Sequence, residues 1–411
     1  MQKTILYISY DGMTDQLGQS QVLPYLCELK NYGFDFHLIS CEKPEKFKQH
    51  KGIIEAICEK NGIRWYPLAY TKRPPVYSTI KDIRNIRRLA FQLQKQHHFD
   101  MVHCRGYIPA LVGLQLKKKA GVRFLFDMRG LWANEKVDAG SWNLNNPLYR
   151  SIYNHFKKKE RQFFENADYT ISLTQAGQKE IGSWKYIADN PVKIEVIPCC
   201  ADLTLFDPVR VEEDLVARIR KDTGIHNGEP VLSYLGSIGS WYMLDEMLDF
   251  FNVYCRKYPS ARFFFITGDQ HDLIRNKAAE KNIAAEKIII RPATRNEVPA
   301  SISLSTHSVF FIRPTYSKIS SSPTKQAELM GMGVPVISNA GVGDTSAIIE
   351  KYKSGIVIKD FSEMSYDEAI ERLQRFSEGR ESIRNGALQY FSLDEGVKKY
   401  LRVYKHILDQ Y

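Results

Sequence analysis

Ser320-Ser321-Ser322-Pro323-Thr324-Lys325-Gln326-Ala327-Glu328-Leu329-Met330-Gly331-Met332-Gly333-Val334-Pro335-Val336-Ile337-Ser338 decides how the rest of this chain is read. The stretch predicts a loop, a short helix and a buried strand. Ser322 suits the N-cap, Pro323 the first helical position, and the Gly331/Gly333 pair stops the helix. A helix start leaves backbone N–H groups unpaired and carries partial positive charge, so it attracts phosphate. Lys325 adds a full charge in the first turn. Glu328 follows Lys325 by three residues and Thr324 by four, which puts all three on one face. An ionised carboxylate one turn past an anion site can accept from two hydroxyls, as a ribose diol requires. Phosphate followed by ribose is half of a nucleotide. A capped amphipathic helix with a solvated Lys–Glu pair would show the same pattern.

Working outward, 411 residues give room for two domains, each with its own core. A hydrophobic content of 44% and a charged content of 25% are ordinary for a globular protein. No apolar run reaches the roughly 18–20 residues of a membrane span. The start, Met1-Gln2-Lys3-Thr4-Ile5-Leu6-Tyr7-Ile8-Ser9, reads as a first buried strand and not as a signal peptide. Seven cysteines without a Cys-x-x-Cys pair point to a reducing compartment and away from structural zinc. The expectation is a cytoplasmic protein.

A net charge of +10 with 12% aromatics raises nucleic acid and membrane surfaces as partners. The basic residues are spread, with clusters at Lys117-Lys118-Lys119 and Lys157-Lys158-Lys159, and no helix-turn-helix, zinc-finger or RNP signature is present. Nucleic acid is therefore not expected; an anionic lipid surface or a diphosphate-bearing substrate is. The basic, aromatic helix at 154–164 reads as a solvated face or, more sharply, as a membrane-surface patch.

In chain order, a strand at 5–9, a loop at 10–20, a helix at 21–31 and a strand at 36–40 open a doubly wound sheet. Ligands in such sheets lie beyond the carboxyl ends of strands, which places Asp11, Gly12 and Gly18 of the loop at the active cleft. Strand-like runs at 100–106 and 124–130 bring His103, Arg105, Asp127 and Arg129 to the same edge. Further strands are expected at 169–173 and 192–197. In the second half, strands at 231–235, 262–267, 287–291 and 308–312 alternate with helices and fit a buried parallel sheet. The turn Gly236-Ser237-Ile238-Gly239-Ser240-Trp241 lets backbone N–H groups approach a diphosphate.

Glu328-Leu329-Met330-Gly331-Met332-Gly333-Val334-Pro335-Val336-Ile337 resembles the donor-binding segment of retaining family-4 glycosyltransferases of the GT-B fold. There, two glutamates eight positions apart flank a Gly-rich turn, and the helix ends before a Gly-x-Pro-Val-Ile strand. Glu328 stands as the second glutamate, Ser320 occupies the place of the first, and the turn is Ser-Ser-Pro. The 10–20 loop resembles the family's N-terminal Gly-rich loop with its glycines separated. Ile197-Pro198-Cys199-Cys200-Ala201-Asp202-Leu203-Thr204-Leu205-Phe206 is similar to the interdomain segment. Three departures stand out. Asp127-Met128-Arg129 replaces Thr-Val-His, with Arg129 at the histidine's position. Ser237 replaces an arginine, and Trp241, Tyr242 and Met243 replace the region of a lysine. Arg313, Lys318 and Lys325 are the substitute cations.

The resemblance implies two Rossmann-like domains with parallel sheets facing a central cleft. Residues 1–205 would form the acceptor side, 206–386 the donor side, and 387–411 a helix returning to the first domain. It implies transfer of a sugar, with retention of configuration, from a UDP- or GDP-linked donor to a sugar or lipid-linked acceptor. No metal or other cofactor is expected. The setting would be bacterial polysaccharide or glycolipid synthesis, in the cytoplasm or peripherally at the inner face of the plasma membrane. Glu328 is assigned to the ribose, and Ser321, Ser322, Thr324 and Lys325 to the phosphates. Gly236, Ser237, Arg313, Pro292 and Gly18 complete the donor site. Asp127, Arg129 and Lys325 form the catalytic set, with Asp127 accepting from a hydroxyl and Arg129 meeting a phosphate or carboxylate. Equally, Asp127 and Arg129 could hold each other as a structural pair. Asp11, Gly12, His103 and Arg105 are expected on the acceptor side. A sugar-nucleotide epimerase of the same fold and a non-catalytic nucleotide-sugar sensor are the alternatives.

Overall fold

Runs such as Ile5-Leu6-Tyr7-Ile8 and Phe263-Phe264-Phe265 have no polar alternation, and strands of that kind need cover on both faces. The computed structural model supplies it. It describes residues 2–74 and 76–409; Met1, at the head of the expected first strand, Pro75, and Gln410 and Tyr411, at the end of the expected tail, lie outside the described residues. The chain divides into one unit of Met1–Pro198 with Leu393–Tyr411 and a second of Cys199–Ser392.

Among the described residues, the first unit holds a seven-stranded parallel sheet. Its strands are β1 (Lys3–Ser9), β2 (Phe34–Glu42), β3 (Arg64–Ala69), β4 (Met101–Arg105), β5 (Arg123–Asp127), β6 (Tyr169–Ser172) and β7 (Ile194–Val196). The order is β3-β2-β1-β4-β5-β6-β7. Winding runs outward from β1 to β3, then jumps back to β4 and proceeds the other way. Crossovers of constant hand therefore put helices Leu23–Lys30 and Pro44–Lys60 on one face, and Tyr77–His97, Tyr107–Ala120 and Pro147–Asn166 on the other. The C-terminal helix Leu393–Leu408 packs beside Leu23–Lys30.

The second unit repeats the plan with six strands: β8 (Val231–Leu235), β9 (Arg262–Ile266), β10 (Ile288–Arg291), β11 (His307–Phe310), β12 (Val336–Asn339) and β13 (Gly355–Ile358). They run β10-β9-β8-β11-β12-β13, all parallel. Phe263, Phe264 and Phe265 are fully buried, the first and third with ring centroids 4.2 Å apart. Each sheet thus has one point where the winding reverses, between β1 and β4 and between β8 and β11.

Several boundaries differ from the sequence expectation. Strands β3 and β13 were not anticipated. β3 is an edge strand with Pro67 inside it and no fully buried residue, so it shows no apolar run. The expected 10–20 loop is shorter, because a helix starts at Gln16. It runs to Gln21 and gives way at Val22 to Leu23–Lys30, the break falling beside Pro24. The first crossing falls between Pro198 and Cys199, ahead of residue 205, and the return begins at Leu393, after residue 387. Side chains explain the shift. The Arg384 guanidinium donates to the carbonyls of Leu203, Phe206 and Gly331, and Ala201 N–H donates to the Phe391 carbonyl, which ties 201–206 to the second unit.

Candidate active site

The reversal point of the second sheet is where a ligand is expected. There β8 ends in Gly236 at φ +106°, a conformation open to glycine and strained for any side chain. The following turn is fastened at both ends. Tyr234 Oη donates to the Ser237 carbonyl at 2.7 Å, and Arg313 N–H donates to the Trp241 carbonyl at 2.9 Å. Ser237, Gly239 and Ser240 remain exposed on it.

Lys325 lies beneath this turn. Its Nζ donates to Tyr234 Oη at 2.9 Å and sits 4.1 Å from the Tyr234 ring centroid and 3.6 Å from that of Tyr242. A Cβ built on Gly236 would come within 3.4 Å of that Nζ. The residue is 7% exposed, and among the described residues no carboxylate forms an ion pair with it. Burial drives the ammonium well below its ordinary pKa, and the more distant Glu328 opposes this only in part. A cation held by two aromatic faces and one hydroxyl is under-compensated, and an arriving anion would complete its surroundings.

Glu328, one turn on, is also enclosed. Burial pushes its carboxyl up to about 7, against the lowering pull of Arg295, 3.8 Å away, and of Lys325. Arg295 itself stacks on Phe206. Thr324 and Lys325 open the helix Thr324–Gly331 as expected in order, but one residue late. Pro323 is the N-cap. Ser322 does not cap: its hydroxyl accepts from Cys199 N–H at 3.1 Å. That correction leaves the helix start without a side-chain cap.

Ser321 N–H donates to the Lys318 carbonyl, and Lys318 Nζ stands 3.6 Å over the Trp241 ring. Ser320, at the place of the missing glutamate, is buried with a hydroxyl that has no partner. Arg313 is exposed. Pro292 is exposed after β10 and faces Gly268 after β9. Gly236, Ser237 and Lys325 are thus brought together; Pro292 belongs to the neighbouring strand ends, on the far side of β8 from β11.

In the first unit the expected residues separate into two groups. Arg105 Nη1 donates to Asp11 Oδ2 at 2.5 Å, at the adjoining ends of β4 and β1. Gly12 and its neighbours are pinned by the buried Glu42, whose carboxylate accepts from Met13 N–H, Thr14 N–H and Thr14 Oγ1. Gly18 is helical and not in a loop. A Cβ there would lie 2.3 Å from the Gly12 carbonyl oxygen, so this glycine is required by close packing.

The second group is buried. Asp127 Oδ2 accepts from Tyr400 Oη at 2.9 Å and from His103 Nε2 at 3.3 Å, and Oδ1 lies 3.7 Å from Arg129 Nη1. His103 Nδ1 meets Tyr404 Oη at 2.7 Å, which makes it the acceptor and leaves Nε2 carrying the proton. Asp127 is 1% exposed. Burial alone would raise its pKa, but the Arg129 charge and the His103 hydrogen bond outweigh it and hold the carboxyl at about 2. Asp127 and His103 are thus both enclosed by β1, β4, β5 and the C-terminal helix. Among the described residues, Asp127 Oδ1 accepts no hydrogen bond and faces only Arg129. Arg129, at φ +56°, is spent at least partly on Asp127.

Two parallel α/β units with a phosphate-type turn in the second are matched by comparison with known proteins. Residues 18–205 match the model of Glycosyltransferase Family 4, and residues 216–389 match Glycosyl transferases group 1. The chain is a glycosyltransferase whose first half matches family 4 and whose second half matches group 1. A curated relative, the D-inositol 3-phosphate glycosyltransferase of Nocardioides sp., is 23% identical over 75% of this chain and 67% of its own length. Sucrose-phosphate synthase from Thermosynechococcus elongatus shares the fold with a TM-score of 0.75 at 15% identity, over the whole of both chains. Anabaena HepE, solved in complex with UDP-glucose, has a TM-score of 0.67 at 12% identity over 98% of this chain and 99% of its own.

In this glycosyltransferase the residues that sequence reasoning missed are the holders of the named ones. Tyr234 and Tyr242 cage Lys325, Glu42 fixes the first loop, and Tyr400 and Tyr404 close over Asp127 and His103. Tyr234 carried a faint signal, a phenol in the otherwise apolar run Val231-Leu232-Ser233-Tyr234-Leu235. Tyr242 stood out only as one of three residues in the region of the family's lysine, and the others had no signal, since their partners are distant in sequence. Among the described residues, no group of three or more His, Cys, Asp or Glu side chains could hold a metal ion.

Proposed function

We propose that this glycosyltransferase takes a sugar from a nucleoside-diphosphate donor, UDP or GDP, and gives it to an acceptor hydroxyl with retention of configuration and without a metal. The observation that carries the reading is the caged, unpaired Lys325 beneath the Gly236 turn. When the sugar–phosphate bond breaks, negative charge grows on the departing diphosphate. Lys325, the N–H groups of the turn and the uncapped start of Thr324–Gly331 are pre-arranged to receive it, and a dry site strengthens each contact. Ser237, Ser321 and Thr324 contribute polar groups around the phosphates, and Arg313 an exposed cation. Glu328 takes the ribose hydroxyls, and the backbone near Pro292 the base. No residue is assigned as a covalent nucleophile. The UDP-glucose held by HepE favours a uridine donor, and glycans or glycolipids are the expected products.

The experiment is incubation with a panel of labelled UDP- and GDP-sugars, with and without EDTA. Release of nucleoside diphosphate with transfer or slow hydrolysis, unaffected by EDTA, and an acceptor-linked product of unchanged anomeric form support the reading. Epimer formation alone would replace it with the epimerase, and binding without turnover with the sensor. Activity abolished by EDTA and restored by magnesium or manganese overturns the metal-free step.

A further inference from the structure

The helix Tyr77–His97 buries Ser78, Asp82, Ile86, Ala90 and Leu93. Its opposite stripe, Tyr77, Ile80, Lys81, Arg84, Arg87 and Arg88, follows the i, i+3, i+4, i+7 spacing of one helical face, and all six are exposed. Two of these are large and apolar or aromatic: Tyr77 is 61% exposed and Ile80 42%. The four cations have no ion-pair partner among the described residues. Nor does the surrounding sequence supply one. From residue 62 to residue 99 the single acidic side chain is Asp82. It is buried, accepting from Tyr10 Oη at 3.0 Å and Thr71 N–H at 3.1 Å.

The contrast with the other basic helix on this face of the sheet is informative. In Pro147–Asn166, Lys157 pairs with Glu160 and Arg161 with Glu165. Each of these cations also lies over a ring, of Trp184 and Tyr186 respectively. Two of the four lysines and arginines of the membrane patch expected at 154–164 are therefore neutralised by their own chain, whereas none of those in the stripe on Tyr77–His97 is.

We propose that this stripe docks the protein on an anionic lipid bilayer, with Tyr77 and Ile80 entering the interface and Lys81, Arg84, Arg87 and Arg88 lying over lipid phosphates. Charge complementarity calls for a polyanion. The exposed Tyr77 and Ile80 decide which kind, because a bilayer offers an apolar phase to cover them and a soluble polyanion does not. The surface belongs wholly to the first unit and does not depend on the donor-site reading.

The test is co-sedimentation of the full chain with vesicles of phosphatidylcholine alone and with phosphatidylglycerol added, with heparin as a soluble polyanion. Binding to the anionic vesicles, weakened by salt and nearly absent on phosphatidylcholine, is the expected result. Neutralising two cations in Arg87→Gln/Arg88→Gln lowers the partition coefficient about 25-fold, roughly fivefold per cation. Tyr77→Ser/Ile80→Ser also lowers it while leaving heparin binding in place. Unfolding in denaturant, reported by Trp65, Trp132, Trp142 and Trp184 of the first unit, keeps the wild-type midpoint and shows that both variants are folded. Absence of vesicle binding by the wild type, binding of heparin only, or unchanged partition in the arginine variant each overturns the proposal.

Discussion

Tyr400 donates its phenolic proton to Asp127 across 273 residues of sequence, and the carboxylate that receives it is all but invisible to solvent. The last helix of the chain is thereby hooked into the centre of the first sheet. Tyr404, one helical turn further on, makes the same kind of contact to His103.

Tyr400→Phe keeps the ring and removes the donor to a buried carboxylate, so it should destabilise the first unit by about 1.5–3 kcal/mol. Trp65, Trp132, Trp142 and Trp184 lie in that unit and report its unfolding in denaturant. Affinity for nucleoside diphosphate, which the proposed donor site places in the second unit, should not move. A variant with unchanged stability would show that the hook carries no load.

Arg129→Gln should lower stability and leave turnover per folded molecule near normal, because the guanidinium offsets the buried Asp127 charge. The pH dependence carries the sign. Asp127 is held at about 2, below its ordinary range, so its contribution is complete above that range and is lost as pH falls toward 2. The melting-temperature gap between wild type and variant should be full near neutrality and close as pH drops below about 4. An unchanged melting temperature with a tenfold or greater loss of turnover, roughly 1.4 kcal/mol of barrier, would return Arg129 to the catalytic set.

Lys325→Met replaces a desolvated ammonium by an apolar chain of similar length. Nucleoside diphosphate affinity should fall at least about tenfold, roughly 1.4 kcal/mol. Stability without ligand should hold or rise, since the buried cation has no ionic partner to lose. Calorimetric titration and a thermal melt of the same preparation read both. Unchanged affinity would remove Lys325 from the donor site.

Glu328→Gln should act on stability and binding in opposite directions. Its carboxyl is raised to about 7 by burial, so between the ordinary carboxylate range and 7 the folded protein binds more protons than the unfolded chain. Stability therefore falls as pH rises through that window, and the variant should be the more stable at pH 8, by about 1–3 kcal/mol. Nucleotide binding should weaken by about 1–3 kcal/mol. Wild-type affinity should also climb as pH rises through about 7, and the variant's should not.

What could be read ahead of the structure followed from local pattern. Strands β1, β8 and β9, buried over most or all of their length, announce themselves as apolar runs, and the strand–turn–helix at Gly236 and the helix with Lys325 and Glu328 are spelled out in consecutive residues. Edge strand β3 hides because half-burial and Pro67 erase the run. The Lys325 cage hides for another reason: Tyr234 is 91 residues upstream and Tyr242 is also far from Lys325 in sequence, and the strand order brings them together. Asp127 is a further case: its partner Tyr400 stands 273 residues along the chain, beyond the reach of any local pattern.

The helix Leu393–Leu408 gives this protein an order of completion. A ribosome delivers the strands of the first sheet early, then all of the second unit, and only afterwards Tyr400 and Tyr404. Until those last residues emerge, Asp127 and His103 wait without their partners, beside Phe34 and Phe36, which pack on the Tyr404 ring in the finished protein. The half that is begun first is the half that is finished last. A chain cut short at residue 392 would retain the residues of the whole second unit and leave the first sheet without the helix that closes over Asp127 and His103.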